Sequence, residues 1–167
     1  MECINRNTKA EELIEMAPSC RCSKCSNGCK FGSGFLFEED AKKIAQYIGL
    51  SLESFRKEYL EEFESFNTKA FRFKLVRKNN MPYGKCIFFR DGICSIHDVK
   101  PLHCKISTGC KPHGKDVSLW FMLNYFVNPY DKESVKEYEQ YLKTGGETLE
   151  NSSIKEIMEE IIKSDEK

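Results

Sequence analysis

Cysteine placement constrains this chain more tightly than any other feature. Four of its nine cysteines fall in the twelve residues "SCRCSKCSNGCK", as Cys20, Cys22, Cys25 and Cys29. Four more, Cys86, Cys94, Cys104 and Cys110, are spread over the following sequence, and Cys3 stands alone. An odd total suits paired disulfides poorly. The first residues, "MECINRNTKAEELIEM", carry charges throughout and lack the apolar run of a secretory signal. The expected compartment is the cytoplasm, where thiols stay reduced. In that setting so many cysteines read first as metal ligands.

The remaining composition narrows the choice of partner. The chain has 167 residues, enough for a single domain spanning 1–167 with a core of its own. Its 26 basic and 26 acidic residues cancel, so no global field recruits nucleic acid or an acidic membrane. The longest apolar stretch, "LWFMLNYFV" from Leu119, is interrupted by Asn124 and stops at Asn128-Pro129. That is well short of the roughly 18 residues that read as a membrane span. Neither a membrane nor a nucleic acid is expected as partner; a protein partner is expected, its identity open.

Apolar periodicity places the elements around the cysteines. Thr8 and Glu11 have capping-box spacing before Leu13, Ile14 and Ala17, and Pro18 closes that helix. A second helix is expected over 38–48, with Ala41, Ile44, Ala45 and Ile48 on one face and Gly49 as its stop. Ser51 can cap a third, in which Leu52, Phe55, Tyr59 and Phe63 point inward. "AFRFKLV" alternates like a strand, "NNMPYG" turns the chain into "KCIFF", and Asp91-Gly92 turns it again toward "ICSI". Helices follow over 117–127, 132–143 and 153–163, the last opened by a capping box of Ser153 and Glu156. The expected class is α+β, mainly helical. A small β-hairpin or meander and two cysteine-bearing loops would pack on about six helices. The metal-binding core would occupy 20–110, and a C-terminal helical extension 116–167.

The cysteine loops have the chemistry of a thiolate site. A C-x-x-C turn such as Cys22–Cys25 supplies two ligands at once, and tetrahedral coordination needs the others to converge from elsewhere. From Ser19 to Phe37 there is no acid, but Arg21, Lys24 and Lys30 are present. From Val99 to Lys115 there is again none, with Lys100, Lys105, Lys111 and Lys115. Such cations stabilise the negative charge of four thiolates around a metal. A thioredoxin-like redox role for Cys22 and Cys25 lacks its βαβ context. His97 and His103 read as supporting or surface residues, whereas His113 has ligand spacing from Cys110. No catalytic set stands out, and "FGSGF" follows no expected strand, so a nucleotide-binding turn lacks its setting.

"CSKCSNGC" and "YGKCIFFRDGICSIHDVKPLHC" resemble the two motifs of the YkgJ-type CxxCxxCC cysteine-cluster family, a zinc- or iron-chelating domain. The first family motif is C-x-x-C-x-x-C-C; the second is approximately G-x-C-x-F-L-x-D-G-x-C-x-I-Y-x-x-R-P-x-x-C. The resemblance spans roughly 20–106 and implies Cys22, Cys25, Cys29, Cys86, Cys94 and Cys104 as metal ligands. Phe88, Asp91, Gly92, Ile96 and Pro101 also fall in place. Gly28 stands where the family has its third cysteine, His97 replaces a tyrosine and Lys100 an arginine. Cys20, Cys110 or His113 is expected to complete the ligand count.

Two readings of the centre follow. One is a single [4Fe-4S] cluster held by cysteines of both motifs, serving electron transfer, cluster delivery or a larger redox or modification system as accessory subunit. Scattered ligands such as Cys94 and Cys104 suit a cluster better than the paired knuckles of structural zinc. The other is a Zn²⁺-stabilised interaction module. Some relatives are associated with lysine methylation of flagellin, which adds an accessory role in protein methylation as a further alternative.

Overall fold

The computed structural model describes residues 3–167. In chain order its helices are α1 (Ala10–Met16), α2 (Ser23–Ser26), α3 (Glu38–Ile48), α4 (Leu52–Tyr59), α5 (Leu102–Ile106), α6 (Gly114–Tyr125), α7 (Lys132–Lys143) and α8 (Ile154–Asp165). The strands are β1 (Phe35–Leu36), β2 (Leu60–Ser65), β3 (Thr68–Phe73), β4 (Leu75–Val76), β5 (Lys85–Cys86), β6 (Phe89–Arg90) and β7 (Ile93–Cys94). The class is α+β and mainly helical, with small antiparallel strand sets.

The chain divides into two compact units. One holds the N-terminal residues through Glu12, Glu64–Lys69 and His113–Lys167; the other holds Leu13–Phe63 and Ala70–Pro112. The expected helical extension 116–167 lies within the first unit, and eight of the nine cysteines lie in the second.

The cysteine-bearing unit is built around α3 and α4. Three acids in the first turn of α3 complement its dipole. Ala41, Ile44 and Ala45 are buried along one face, and Gly49 (φ 76°) ends the helix in the left-handed conformation. The Ser54 N–H donates to the Ser51 hydroxyl at 3.1 Å, capping α4. Its expected run through Phe63 is not observed, because Leu60–Ser65 is a strand. Phe66 (φ 48°) and Asn67 (φ 53°) both adopt left-handed backbone, the two-residue turn that matches strand twist. That turn pairs β2 with β3 and takes residues 60–65 away from helix. β1 adds to β3, Phe35 opposite Arg72 and Leu36 opposite Phe71.

Two further hairpins place cysteines. β4 pairs with β5, setting Cys86 opposite Leu75. The Asp91-Gly92 turn (φ 50° and 79°) pairs β6 with β7 and sets Cys94 opposite Phe89. The unit's core collects Leu36, Ile44, Phe55, Phe73, Phe88 and Ile96, with Cys86 among the buried residues and Cys29, Cys94 and Cys104 packed against it. Burying one such large apolar side chain contributes about 1.5–3 kcal/mol. These four thiols are therefore positioned by the unit's hydrophobic core, of which Cys86 is a member.

The first unit has its own core of Leu123, Val127, Tyr138 and Ile157. Ser153 and Glu156 form the expected capping box on α8. The fully buried Tyr138 hydroxyl donates to the Ser152 carbonyl at 2.8 Å and lies 2.6 Å from the Thr148 hydroxyl. Tyr138→Phe removes both bonds and leaves a buried carbonyl unpaired, so it is expected to cost about 1–2 kcal/mol. Denaturant unfolding followed at α6–α8 would check this; an unchanged midpoint would show that these bonds add nothing.

Candidate metal centre

The structure sorts eight cysteines into two quartets. Cys20, Cys22, Cys25 and Cys110 form the first, with all four sulfurs within 4.8 Å of one another. The Cys20 Sγ lies 3.2 Å from those of Cys22 and Cys25, and the Cys110 Sγ lies 3.3 Å from Cys25 and 4.0 Å from Cys20. The short α2 turn brings Cys22 and Cys25 together: Cys22 occupies its N-cap and accepts the Cys25 N–H at 3.5 Å. Backbone at Cys22 is extended (φ −73°, ψ 157°), and an extended C-x-C directs alternate side chains to one face. Cys20 and Cys22 meet in this way.

Cys110 arrives from the loop after α5. A side chain at Gly109 would run into the Lys24 carbonyl, so glycine allows this loop to lie against the α2 turn. His97 Nε2 sits 3.3 Å from the Cys20 carbonyl and supports the same segment. Cys22 and Cys110 are exposed. The Cys25 N–H and then the Cys20 thiol hold the Cys22 thiol down to about 6, below its ordinary value.

Cys29, Cys86, Cys94 and Cys104 form the second quartet. They come from the 3₁₀ turn Asn27–Lys30, from β5, from β7 and from α5. All four line a cavity of about 270 Å³, at whose edge Cys20 and Cys25 of the first quartet also stand; it is several times the ~30 Å³ share of a water molecule in the liquid. Among the described residues only the first quartet has its ligand atoms within 4.8 Å of one another. The second stands more widely spaced around its cavity. Phe73, Phe88 and Ile96 share the lining, and no carboxylate does so among the described residues.

Burial pushes the Cys86 thiol up to about 12 and raises Cys104 well above its ordinary value. Cys29 and Cys94 are raised for the same reason, while Lys100 draws both back down. Charge on neighbouring thiols adds to the rise: Cys104 feels Cys86, Cys29 and Cys94, Cys86 feels Cys29 and Cys94, and Cys29 feels Cys94. Such an array is costly to ionise without a bound cation and releases its protons to a metal. Gly34 seats the array, because a side chain there would occupy the position of the Cys104 sulfur. The His103 Nδ1 accepts the Phe35 N–H at 3.1 Å, and burial lowers this imidazole to about 4, leaving it neutral.

The six cysteines expected as ligands of one centre therefore divide. Cys22 and Cys25 join Cys20 and Cys110, whereas Cys29 joins Cys86, Cys94 and Cys104. His113 is in neither quartet; it precedes α6 in the other unit. Cys3 is exposed and belongs to neither quartet. Gly34 and Gly109 carry no ligand and escaped the sequence reading. Their only signal was position, in "FGSGF" and immediately before Cys110.

Residues 21–141 match the family model described as "CxxCxxCC: Putative zinc- or iron-chelating domain". The chain belongs to this family. The match runs past residue 106, where the resemblance read from the motifs ended, and takes in α6 and most of α7. No curated protein and no solved structure matches the chain. The protein is thus a zinc- or iron-chelating domain with a cysteine cluster, and no helix among the described residues is long and apolar enough to cross a membrane.

Proposed function

We propose that this CxxCxxCC domain is an iron–sulfur protein whose cluster is carried by Cys29, Cys86, Cys94 and Cys104. The observation behind this reading is the wide spacing of four thiols from both motifs around a 270 Å³ cavity. A cluster carries its thiolates on the outside of an iron–sulfide core, so its ligands stand apart, whereas those of a single ion crowd together. The residues present suit such a group. Four thiols, an apolar wall and the Lys100 ammonium border the space, with no carboxylate to compete among the described residues.

When bound, the cluster supplies one-electron chemistry or is itself the cargo. The chain's own part is to hold the thiols, exclude water from the sulfurs and offset their charge. All three tune a cluster's potential. The role that follows is electron transfer, cluster delivery or service as an accessory of a redox or modification system, with a protein as partner. Ile93 lines the cavity and is exposed, as are Phe31 and Tyr83 of the same unit. They offer that partner an apolar surface.

Anaerobic purification followed by iron, acid-labile sulfide and Mössbauer measurement tests the reading. Stoichiometric iron and sulfide with a cluster signature are expected. Protein that holds zinc alone, and that takes up no iron and sulfide on reconstitution, would overturn it.

A further inference from the structure

The first quartet has a different chemistry from the second. A tetrahedral Zn²⁺ site with Zn–S bonds of 2.3 Å sets its sulfurs about 3.8 Å apart. The separations of 3.2, 3.2, 3.3 and 4.0 Å among Cys20, Cys22, Cys25 and Cys110 bracket that edge. There is no room inside for an iron–sulfide core. We infer that these four cysteines form a second, independent centre for a single thiophilic divalent ion, Zn²⁺, so that the domain carries two chemically distinct metal sites. The inference adds to the cluster assigned above, and its test separates the two.

Two further observations support a built site. Its thiols converge from two segments far apart in sequence, Cys20–Cys25 and Cys110, and glycine at 109 permits the approach. Cys20 and Cys110 also lie outside the motif positions carried over from the family, while Gly28 occupies a motif position without a thiol. Cys20 makes good that loss from the other side of Cys22. The site is consequently written into this chain by residues that the motif alone does not name.

The bound ion would tie the α2 turn to the loop after α5. Since Cys22 and Cys110 are exposed, it would exchange with chelators faster than a cluster seated in the cavity.

The test uses the full chain, purified anaerobically, with zinc, iron and sulfide measured per chain. Wild type is expected to hold one zinc beside its cluster. Cys20→Ser combined with Cys110→Ser should lose that zinc at least tenfold and keep iron and sulfide. Cys86→Ser combined with Cys104→Ser should do the reverse. Cobalt in place of zinc should give the intense sulfur-to-cobalt bands of a four-thiolate tetrahedral site. Cys110→His keeps a ligand at its position, so it should retain the ion and shift those bands. Misfolding of the serine variant is thereby told apart from loss of ligands.

Zinc retained in the serine variant, iron lost together with zinc, or cobalt bands unmoved by Cys110→His would each overturn the second centre. Wild type with one zinc and no iron would instead sink the cluster reading and leave the zinc site standing.

Discussion

Gly34→Ala is expected to lower iron occupancy of the deeper centre about 10–100-fold, the usual cost of disturbing a group that positions a metal ligand. The new methyl would claim the space of the Cys104 sulfur, so the thiol must leave its place on the cavity wall. Gly34 has no positive φ to relieve, and the effect should therefore appear in metal content before it appears in folding. Cys104→Ser should reach the same end directly, with iron and sulfide lost. Cys3→Ser, at a cysteine outside both quartets, should change neither metal. Iron and sulfide assays on the three variants, beside their circular dichroism, check the series. Undiminished iron in Gly34→Ala would show that Cys104 is not a ligand or that the strand gives way easily.

Stripping the metals anaerobically is expected to abolish amide protection in residues 19–34 and 99–112 while α6, α7 and α8 keep theirs. Two short helical turns and the loop around Cys110 have little of their own to hold them. Neither α2 nor the 3₁₀ turn after it has a buried residue, and isolated helices this short are unstable in water. Metal–thiolate bonds supply the missing free energy, as in other small metal domains. The first unit keeps Leu123, Val127, Tyr138 and Ile157 as a core free of cysteine. Hydrogen exchange with and without bound metal would read this out. Equal protection in the two loops would mean that the hydrophobic core, rather than the metal, shapes them.

Much of this architecture was legible before any coordinates. The 38–48 and 132–143 helices, the Ser51 and Ser153 caps and the Asp91-Gly92 hairpin depend on neighbours a few residues away. Apolar period, cap and turn residue all sit in one short window, so the chain announces them locally. Residues 60–65 show where that window misleads. Phe63 continues the helical spacing of Leu52, Phe55 and Tyr59, but pairing across the Phe66-Asn67 turn outweighs helix period. Propensity yields to a partner strand that a single window does not contain.

The cysteines divide along the same physical line. That this is a thiolate metal protein follows from the sequence alone: nine cysteines, a C-x-x-C turn, two motifs and loops cleared of acid. How the thiols are shared did not follow. Cys25 and Cys29 are four residues apart and both line the cavity, yet the Cys25 sulfur lies against Cys20 and Cys110 while Cys29 stands with Cys86, Cys94 and Cys104. Which way each turns is set by the passage from α2 into the 3₁₀ turn Asn27–Lys30 between them and by close approaches at Gly34 and Gly109. Coordination depends on the direction and separation of sulfurs in space. Ligand type is carried by residue identity, but those distances exist only once distant segments have packed.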